Sequence, residues 1–232
     1  MEIKIGHPFE SKGKKPGNNF TIITGSGRCG TTALIKFFKE TKVFHMVTSN
    51  YFPNMRAGLE HDAATQANSL CSKEVIKGYE KRRHNNLKEG TDLIKKIVRT
   101  TEIVKTPTFF FYNSYIYWKN AFPQEDLQVF LLKRNNSENV LKSAENVNNK
   151  EDWGYFKTGK EIEEHYKLNV QTLLNLNIPF IELEFPKFVM DPVYLFNKLK
   201  KYKPLSNQKN FNLDLVVKLS KKVFDKSLIT VK

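Results

Sequence analysis

The sequence predicts a single α/β domain in which helices flank a central parallel β-sheet. Segments rich in apolar and β-branched residues alternate along the chain with segments of helical pattern, as they do in βαβ units. Residues 127–132 are almost continuously apolar, which suits a parallel strand that is buried on both faces. With 232 residues and a hydrophobic fraction of 40%, the chain can build one domain with a substantial core.

The chain divides into five predicted strands with helices between them. Strands are predicted at about residues 20–24, 43–47, 102–105, 127–132 and 179–183. Helices are predicted at about residues 31–39, 91–99, 109–118, 137–147 and 159–175, and the C-terminal third is predicted to be helical. The domain is expected to span residues 1–232, with a flexible lead-in at 1–19 and a mostly helical insertion at about 49–100.

A glycine-rich turn, Thr-Gly-Ser-Gly-Arg-Cys-Gly-Thr-Thr at residues 24–32, lies between the first predicted strand and the first predicted helix. Its spacing fits the phosphate-loop pattern G-x-x-x-x-G-[KT]-[ST], from Gly25 to Gly30 and then Thr31 and Thr32. The backbone N–H groups of such a turn and the positive end of the helix dipole both attract an anion. This layout predicts the three-layer α/β/α arrangement of P-loop NTPases. A nucleotide triphosphatase would carry lysine in place of Thr31, so ATP hydrolysis is not favoured.

Two basic residues stand at the ends of other predicted strands. Lys105 ends the strand at 102–105, and Arg134 follows the strand at 127–132. The carboxyl ends of parallel strands meet at one edge of the sheet, where ligands bind in open α/β folds. We therefore expect Lys105, Arg134 and the glycine-rich turn to lie together and to form an anion-binding site.

These segments resemble the sulfotransferase family that uses 3′-phosphoadenosine 5′-phosphosulfate (PAPS). Residues 28–32 are similar to the family's 5′-phosphosulfate loop, [KR]-S-G-T-T, with Cys29 in the usual serine place. Residues 129–136 are similar to the strand and turn that bind the 3′-phosphate. The Lys-Thr-Pro at 105–107 resembles an element common in bacterial members. The strand at 181–184, with Asp191 and Pro192 shortly after it, is similar to the family's C-terminal pattern. The resemblance spans about residues 20–199.

The resemblance implies transfer of a sulfuryl group from PAPS to a hydroxyl or amine acceptor, with glycans among the candidate acceptors. The product would be adenosine 3′,5′-bisphosphate, and no metal is required. It implies that Arg28 and Lys105 act as catalytic cations. It also implies the following nucleotide-binding residues: Gly25, Ser26, Gly27, Arg28, Cys29, Gly30, Thr31 and Thr32 at the 5′ end, and Arg134 with Lys142 or Ser143 at the 3′-phosphate.

The sequence departs from the family pattern at two places. The family has serine eight residues after the arginine, whereas this chain has Lys142 there and Ser143 one residue later. One residue rotates a helical side chain by about 100°. Either Lys142 replaces the hydroxyl with a charge or a local bulge brings Ser143 round, and both alternatives stay open. The histidine base of cytosolic members is replaced by Pro107, so the base must come from elsewhere. The candidates lie between the first helix and residue 65, with Glu60 first, then His61, and also Asp62 and His45.

The net charge indicates which partners the protein can have, and the cysteine content indicates its cellular compartment. The net charge of +14 indicates either a solvated helical face or an electrostatic funnel toward an anionic nucleotide, sulfated glycan or nucleic acid. Two cysteines make no disulfide framework, and a cytoplasmic protein is expected. Cys29, at a helix N-terminus beside Arg28, is expected to have a lowered pKa and some reactivity. His165 is expected on a helix surface.

Three other functions compete with sulfotransfer. The first is a P-loop nucleotide kinase or related phosphotransferase, against which the threonine at position 31 argues. The second is a basic nucleic-acid-binding module without catalysis, for which no recognised motif is present, so nucleic acid is not expected as a partner. The third is a member of the family that binds nucleotide without transferring the sulfuryl group. The oligomeric state is not predicted.

Overall fold

A computed structural model describes residues 20–43, 102–105, 115–121, 127–145 and 156–224, together with single positions at 88, 91, 92 and 95. Most of the predicted insertion at 49–100 lies outside these described residues, as do the lead-in at 1–19 and nearly all of the predicted strand at 43–47.

The described residues form a four-stranded parallel sheet with flanking helices, which confirms the predicted α/β class. The strands are β1 (Phe20–Gly25), β2 (Ile103–Lys105), β3 (Leu127–Arg134) and β4 (Phe180–Phe185). Their order across the sheet is β2-β1-β3-β4, and all three neighbouring pairs are parallel.

The single described positions Lys88, Thr91, Asp92 and Lys95 are helical, and eight further helices have both of their bounds within the described residues. They are α1 (Thr31–Thr41), α2 (Tyr115–Ala121), α3 (Glu138–Glu145), α4 (Gly159–Asn175), α5 (Lys187–Met190), α6 (Pro192–Leu199), α7 (Lys203–Ser206) and α8 (Leu213–Val223). In this part of the chain, no helix is long and apolar enough to cross a membrane.

Alternate residues of the strands face two separate cores. Ile23 and Phe130 point into a first core, which is covered by α1 and by the helices from α5 to α8. Ile22 and Val129 point into a second core, which is covered by α2 and α4. Because helices cover both faces, the central strands are buried on both sides and carry the continuous apolar run that predicted them.

The strand order places a topological switch point between β1 and β3. The chain leaves β1 toward β2 on one side and later returns to β3 on the other side of β1. Loops that diverge in this way leave a crevice at the carboxyl ends of the two strands. The glycine-rich turn follows β1, and Arg134 ends β3, so both border this crevice.

Capping explains why some element boundaries were predicted well. Helix α4 begins and ends at the predicted residues, because the Thr158 hydroxyl accepts a hydrogen bond from the Glu161 N–H at 3.2 Å. The Glu161 carboxylate in turn accepts from the Lys157 N–H at 2.6 Å. By contrast, β3 runs two residues beyond its predicted end, because Lys133 and Arg134 pair with β4 although they are polar.

Contacts between residues that are far apart in sequence hold the first core together. The hydroxyl groups of Thr21, on β1, and Tyr202, between α6 and α7, share a buried hydrogen bond. The ring of Phe37 on α1 stacks on Phe224 after α8, with the centroids 5.7 Å apart.

Candidate anion-binding site

The glycine-rich turn has three residues in the left-handed region of backbone conformation. Gly27, Arg28 and Gly30 have positive φ angles of 81°, 48° and 85°. Gly30 is the N-cap of α1 and makes no side-chain cap, and no acidic residue lies in the first turn of that helix. The positive end of the α1 dipole therefore has no local counter-charge within the helix, which favours an anion.

Close packing fixes the turn against β3 and two aromatic rings. A Cβ atom on Gly25 would lie 2.5 Å from both the Cys29 sulfur and the backbone oxygen of Leu132. A Cβ atom on Gly30 would lie 2.5 Å from a ring carbon of Phe185 and 2.9 Å from one of Phe188. Both positions therefore require glycine, for reasons of space as well as of backbone angle at Gly30.

Arg134 ties the turn to β3. Its Nη1 donates a hydrogen bond to the backbone oxygen of Arg28 at 3.0 Å, and its guanidinium lies 5.1 Å from the centre of the Phe185 ring. Burial lowers the pKa of Arg134, and the nearby charge of Arg28 lowers it further. Arginine nevertheless keeps its charge in proteins, so two guanidinium groups lie close together at this turn.

Lys105 reaches the start of α1 from the neighbouring strand β2. Its Nζ donates a hydrogen bond to the Thr32 hydroxyl at 3.0 Å, and the residue is 4% exposed. The structure thus brings the predicted Arg28, Lys105 and Arg134 together, on three different segments of the chain.

Ser143, rather than Lys142, faces the turn. The Ser143 hydroxyl accepts a hydrogen bond from Arg28 Nε at 3.1 Å and is buried in α3, whereas Lys142 is exposed. Of the two residues that the sequence left open, the structure places Ser143, and not Lys142, against Arg28. Arg28 therefore has its carbonyl held by Arg134 and its side chain held by Ser143.

The expectation of a reactive Cys29 is wrong. The side chain is fully buried, and burial raises the pKa of this thiol to about 12. Hydrogen bonds from the backbone N–H groups of Gly27 and Cys29 act in the opposite direction but do not outweigh desolvation. Position 29 points under the turn, toward Gly25, so its thiol serves as packing.

The expectation that His165 lies on a helix surface is also wrong. His165 is 6% exposed and lies beside Asn169, whose amide nitrogen is 3.1 Å from His165 Nδ1. Its ring centre is 5.1 Å from that of Phe156. Burial lowers the pKa of this imidazole to about 4, so it is neutral at neutral pH.

Two further groups support the site and were not predicted. Phe185, the last residue of β4, packs against both Gly30 and Arg134. Glu138 accepts a hydrogen bond from the Gly159 N–H at 2.8 Å and so joins the start of α3 to the start of α4. Neither position carries a pattern in the sequence that marks it.

Some of the remaining predicted site residues are buried, and others lie outside the part of the chain that the structure describes. Ser26 and Thr31 are buried in the turn. The candidate bases Glu60, His61, Asp62 and His45 lie outside the described residues. Within the described part of the chain, no group of three or more histidine, cysteine or acidic residues could hold a metal ion.

A scan against protein-family models and searches of curated proteins and of solved structures found no match to this chain. The geometry alone therefore defines the class of site. Two guanidinium groups, one ammonium group and the positive end of a helix meet at a tight backbone turn. Such a set of groups is suited to hold an anion with several oxygens and to stabilise negative charge that develops on it.

Proposed function

We propose that this protein is a sulfotransferase that moves a sulfuryl group from PAPS to a hydroxyl or amine acceptor. The observation that carries the proposal is the meeting of Arg28, Lys105 and Arg134 at the turn between β1 and α1. The same three residues are those that the resemblance to the PAPS-dependent family singles out.

The position of the cations favours sulfuryl over phosphoryl transfer. A P-loop phosphotransferase carries its lysine in the loop, where this chain has Thr31. Here Lys105 supplies the ammonium group from β2, and it is bonded to Thr32 at the start of α1. PAPS supplies an activated sulfuryl group and a phosphate leaving group. The leaving group needs positive charge, which the turn and Arg28 provide without a metal.

Each residue has a distinct part in this proposal. The backbone of Gly25 to Gly30 and the hydroxyls of Thr31 and Thr32 hold the 5′ end of the nucleotide. Arg28 and Lys105 stabilise charge at the reacting group, and Arg134 binds the 3′-phosphate with Ser143 beside it. Glu60, and after it His61, remains the proposed base that removes the acceptor proton.

Calorimetry with two nucleotides tests the proposal directly. Adenosine 3′,5′-bisphosphate is expected to bind at least about tenfold more tightly than AMP, because only the former offers a second phosphate to Arg134. Equal binding of the two nucleotides, or no binding of either, contradicts the proposal. Mg²⁺-dependent turnover of ATP would support a nucleotide kinase instead.

Replacement of Arg28 tests the catalytic step. Arg28→Ala is expected to lower the rate of sulfuryl transfer from labelled PAPS by about 10² to 10³, as for loss of one preorganised donor to a developing charge. Lys36→Ala removes an exposed charge from the same helix and serves as the control. An equal rate for Arg28→Ala and the control would remove Arg28 from the mechanism.

A further inference from the structure

The positive charge of the described residues is concentrated on one face of the sheet. Residues 31–43 and 186–224, which cover the first core, hold twelve lysines and three acidic residues. Residues 115–121 and 156–179 cover the second core, and residues 138–145 pack on α4; together these segments hold five lysines and five acidic residues. We call the first group the lysine layer and the second the balanced layer.

Composition alone does not account for this separation. Both layers are helical, so a lysine-rich sequence with random placement would give both a similar excess of positive charge. The field of the lysine layer also acts on its own acidic residue Glu40. The pKa of Glu40 is lowered by its hydrogen bond with Lys222, and further by the charges of Lys42 and Lys39.

The shape and chemistry of the lysine layer favour a broad anionic surface over a shaped anionic ligand. Helix α8 packs between α1 and α6, so the layer presents three helices side by side. The layer contains no arginine, the residue that binds phosphate or sulfate groups in bidentate geometry. Large apolar side chains are exposed in both layers, at Leu168 and Leu174 on α4 and at Met190 and Val193 by the junction of α5 and α6. Only the second pair lies in a layer with an excess of lysines, and that combination suits contact with an anionic lipid surface better than contact with nucleic acid.

We propose that the lysine layer binds the anionic surface of a lipid bilayer. Lysines held near such a surface each contribute a modest attraction, and the contributions accumulate over a flat array. Helix α1 belongs to both regions: its first residues, Thr31 and Thr32, border the anion-binding turn, whereas its lysines begin at Lys36. Because the lysines of the layer lie outside the turn, the binding of vesicles does not rest on the proposed transfer reaction.

Sedimentation of the full chain with lipid vesicles tests the proposal. Vesicles of phosphatidylcholine with about 30 mol% phosphatidylserine are expected to bind the protein at about 0.1 M salt, and pure phosphatidylcholine vesicles are not. A layer variant with Lys36→Glu, Lys218→Glu and Lys221→Glu is expected to bind at least about a hundredfold more weakly, at roughly fivefold or more for each lysine.

A matched variant on the balanced layer distinguishes the effect of the lysine layer on vesicle binding from the effect of the net charge. Lys119→Glu, Lys160→Glu and Lys167→Glu change the net charge by the same amount at exposed positions, and are expected to weaken binding by less than about fivefold. Equal losses in the two variants would show that total charge, and not this layer, attracts the vesicles. Absence of binding by the unaltered protein, or displacement of bound protein by duplex RNA at an equal concentration of phosphate, would likewise overturn the proposal.

Discussion

The two helical layers hold the sheet in different ways. In the first core, aromatic rings from α1, β3 and the segment after α8 pack on one another, and two rings near the end of β4 press on the glycine-rich turn. On the other side of the sheet, helix α4 packs on the second core and also buries the polar side chains of His165 and Asn169. The first side therefore depends on the packing of rings against the turn, whereas the second side also has to keep a titratable group neutral.

The largest difference in stability between the two sides is expected when alanine replaces a glycine at the start of a helix on each side. Gly30→Ala is expected to lower the free energy of unfolding by about 3 kcal/mol, since it adds positive-φ strain and a clash with Phe185 and Phe188. Gly159→Ala is expected to cost about 1 kcal/mol, because its Cβ meets only the flexible side chain of Glu138, which can move aside with the loss of its hydrogen bond from the Gly159 N–H. Urea denaturation measures both.

Equal costs for the two glycine variants would contradict the difference between the layers. A smaller cost for Gly30→Ala than for Gly159→Ala would show that the rings of Phe185 and Phe188 move aside easily. The binding of adenosine 3′,5′-bisphosphate by the same variants reports separately on the shape of the turn.

Mild acid is expected to lower the free energy of unfolding through the second side, where His165 is buried. The pKa of His165 is about 4 in the folded protein, and its ordinary value is 6.5, so the unfolded chain binds the proton more tightly. Stability from this group is present above pH 6.5 and is lost as the pH falls toward 4. Between pH 7.5 and pH 5 the loss is expected to be about 2 kcal/mol.

Replacement of the histidine checks this assignment. His165→Gln cannot titrate, so its free energy of unfolding should change less between pH 7.5 and pH 5 than that of the unaltered protein. The same dependence on pH in both proteins would place the acid-sensitive group elsewhere.

Two buried serines offer the smallest and most closely matched comparison. Ser143 and Ser220 are each 5% exposed and helical, but the Ser143 hydroxyl is bonded to Arg28, while that of Ser220 has no hydrogen-bond partner among the described residues. Ser143→Ala is expected to cost about 1 kcal/mol, and Ser220→Ala to be neutral or to stabilise by up to about 1 kcal/mol. Thermal unfolding of the two variants tests the sign of the difference, and a larger cost for Ser220→Ala would reverse the expectation.

Local signals in the sequence predicted most of the described elements. The continuous apolar run of β3 and the threonine cap of α4 are properties of a few adjacent residues, so both elements could be located directly. Helix α2 was predicted at 109–118 and is described over Tyr115–Ala121, while residues 109–114 lie outside the described residues. Its residue Trp118 is buried in the second core, where it stacks on Phe20, a contact that no local pattern reveals.

The candidate site was predictable where backbone topology decides the position of a residue. Arg28, Lys105 and Arg134 all follow the carboxyl ends of parallel strands, so their meeting follows from the fold class. Orientation of single side chains was not predictable. Cys29 and His165 were both misplaced, because a one-residue step on a turn or helix decides whether a side chain is inside or outside.

The hydrogen bond between Thr21 and Tyr202 has a consequence for the order of events during synthesis. The two residues are 181 positions apart, and β1 must also wait for β3 before its far edge is paired. A ribosome delivers the N-terminal residues first, but their partners emerge much later. The early segment therefore stays without its tertiary contacts while most of the chain is made, a period in which its exposed apolar surface is open to chaperones and to self-association.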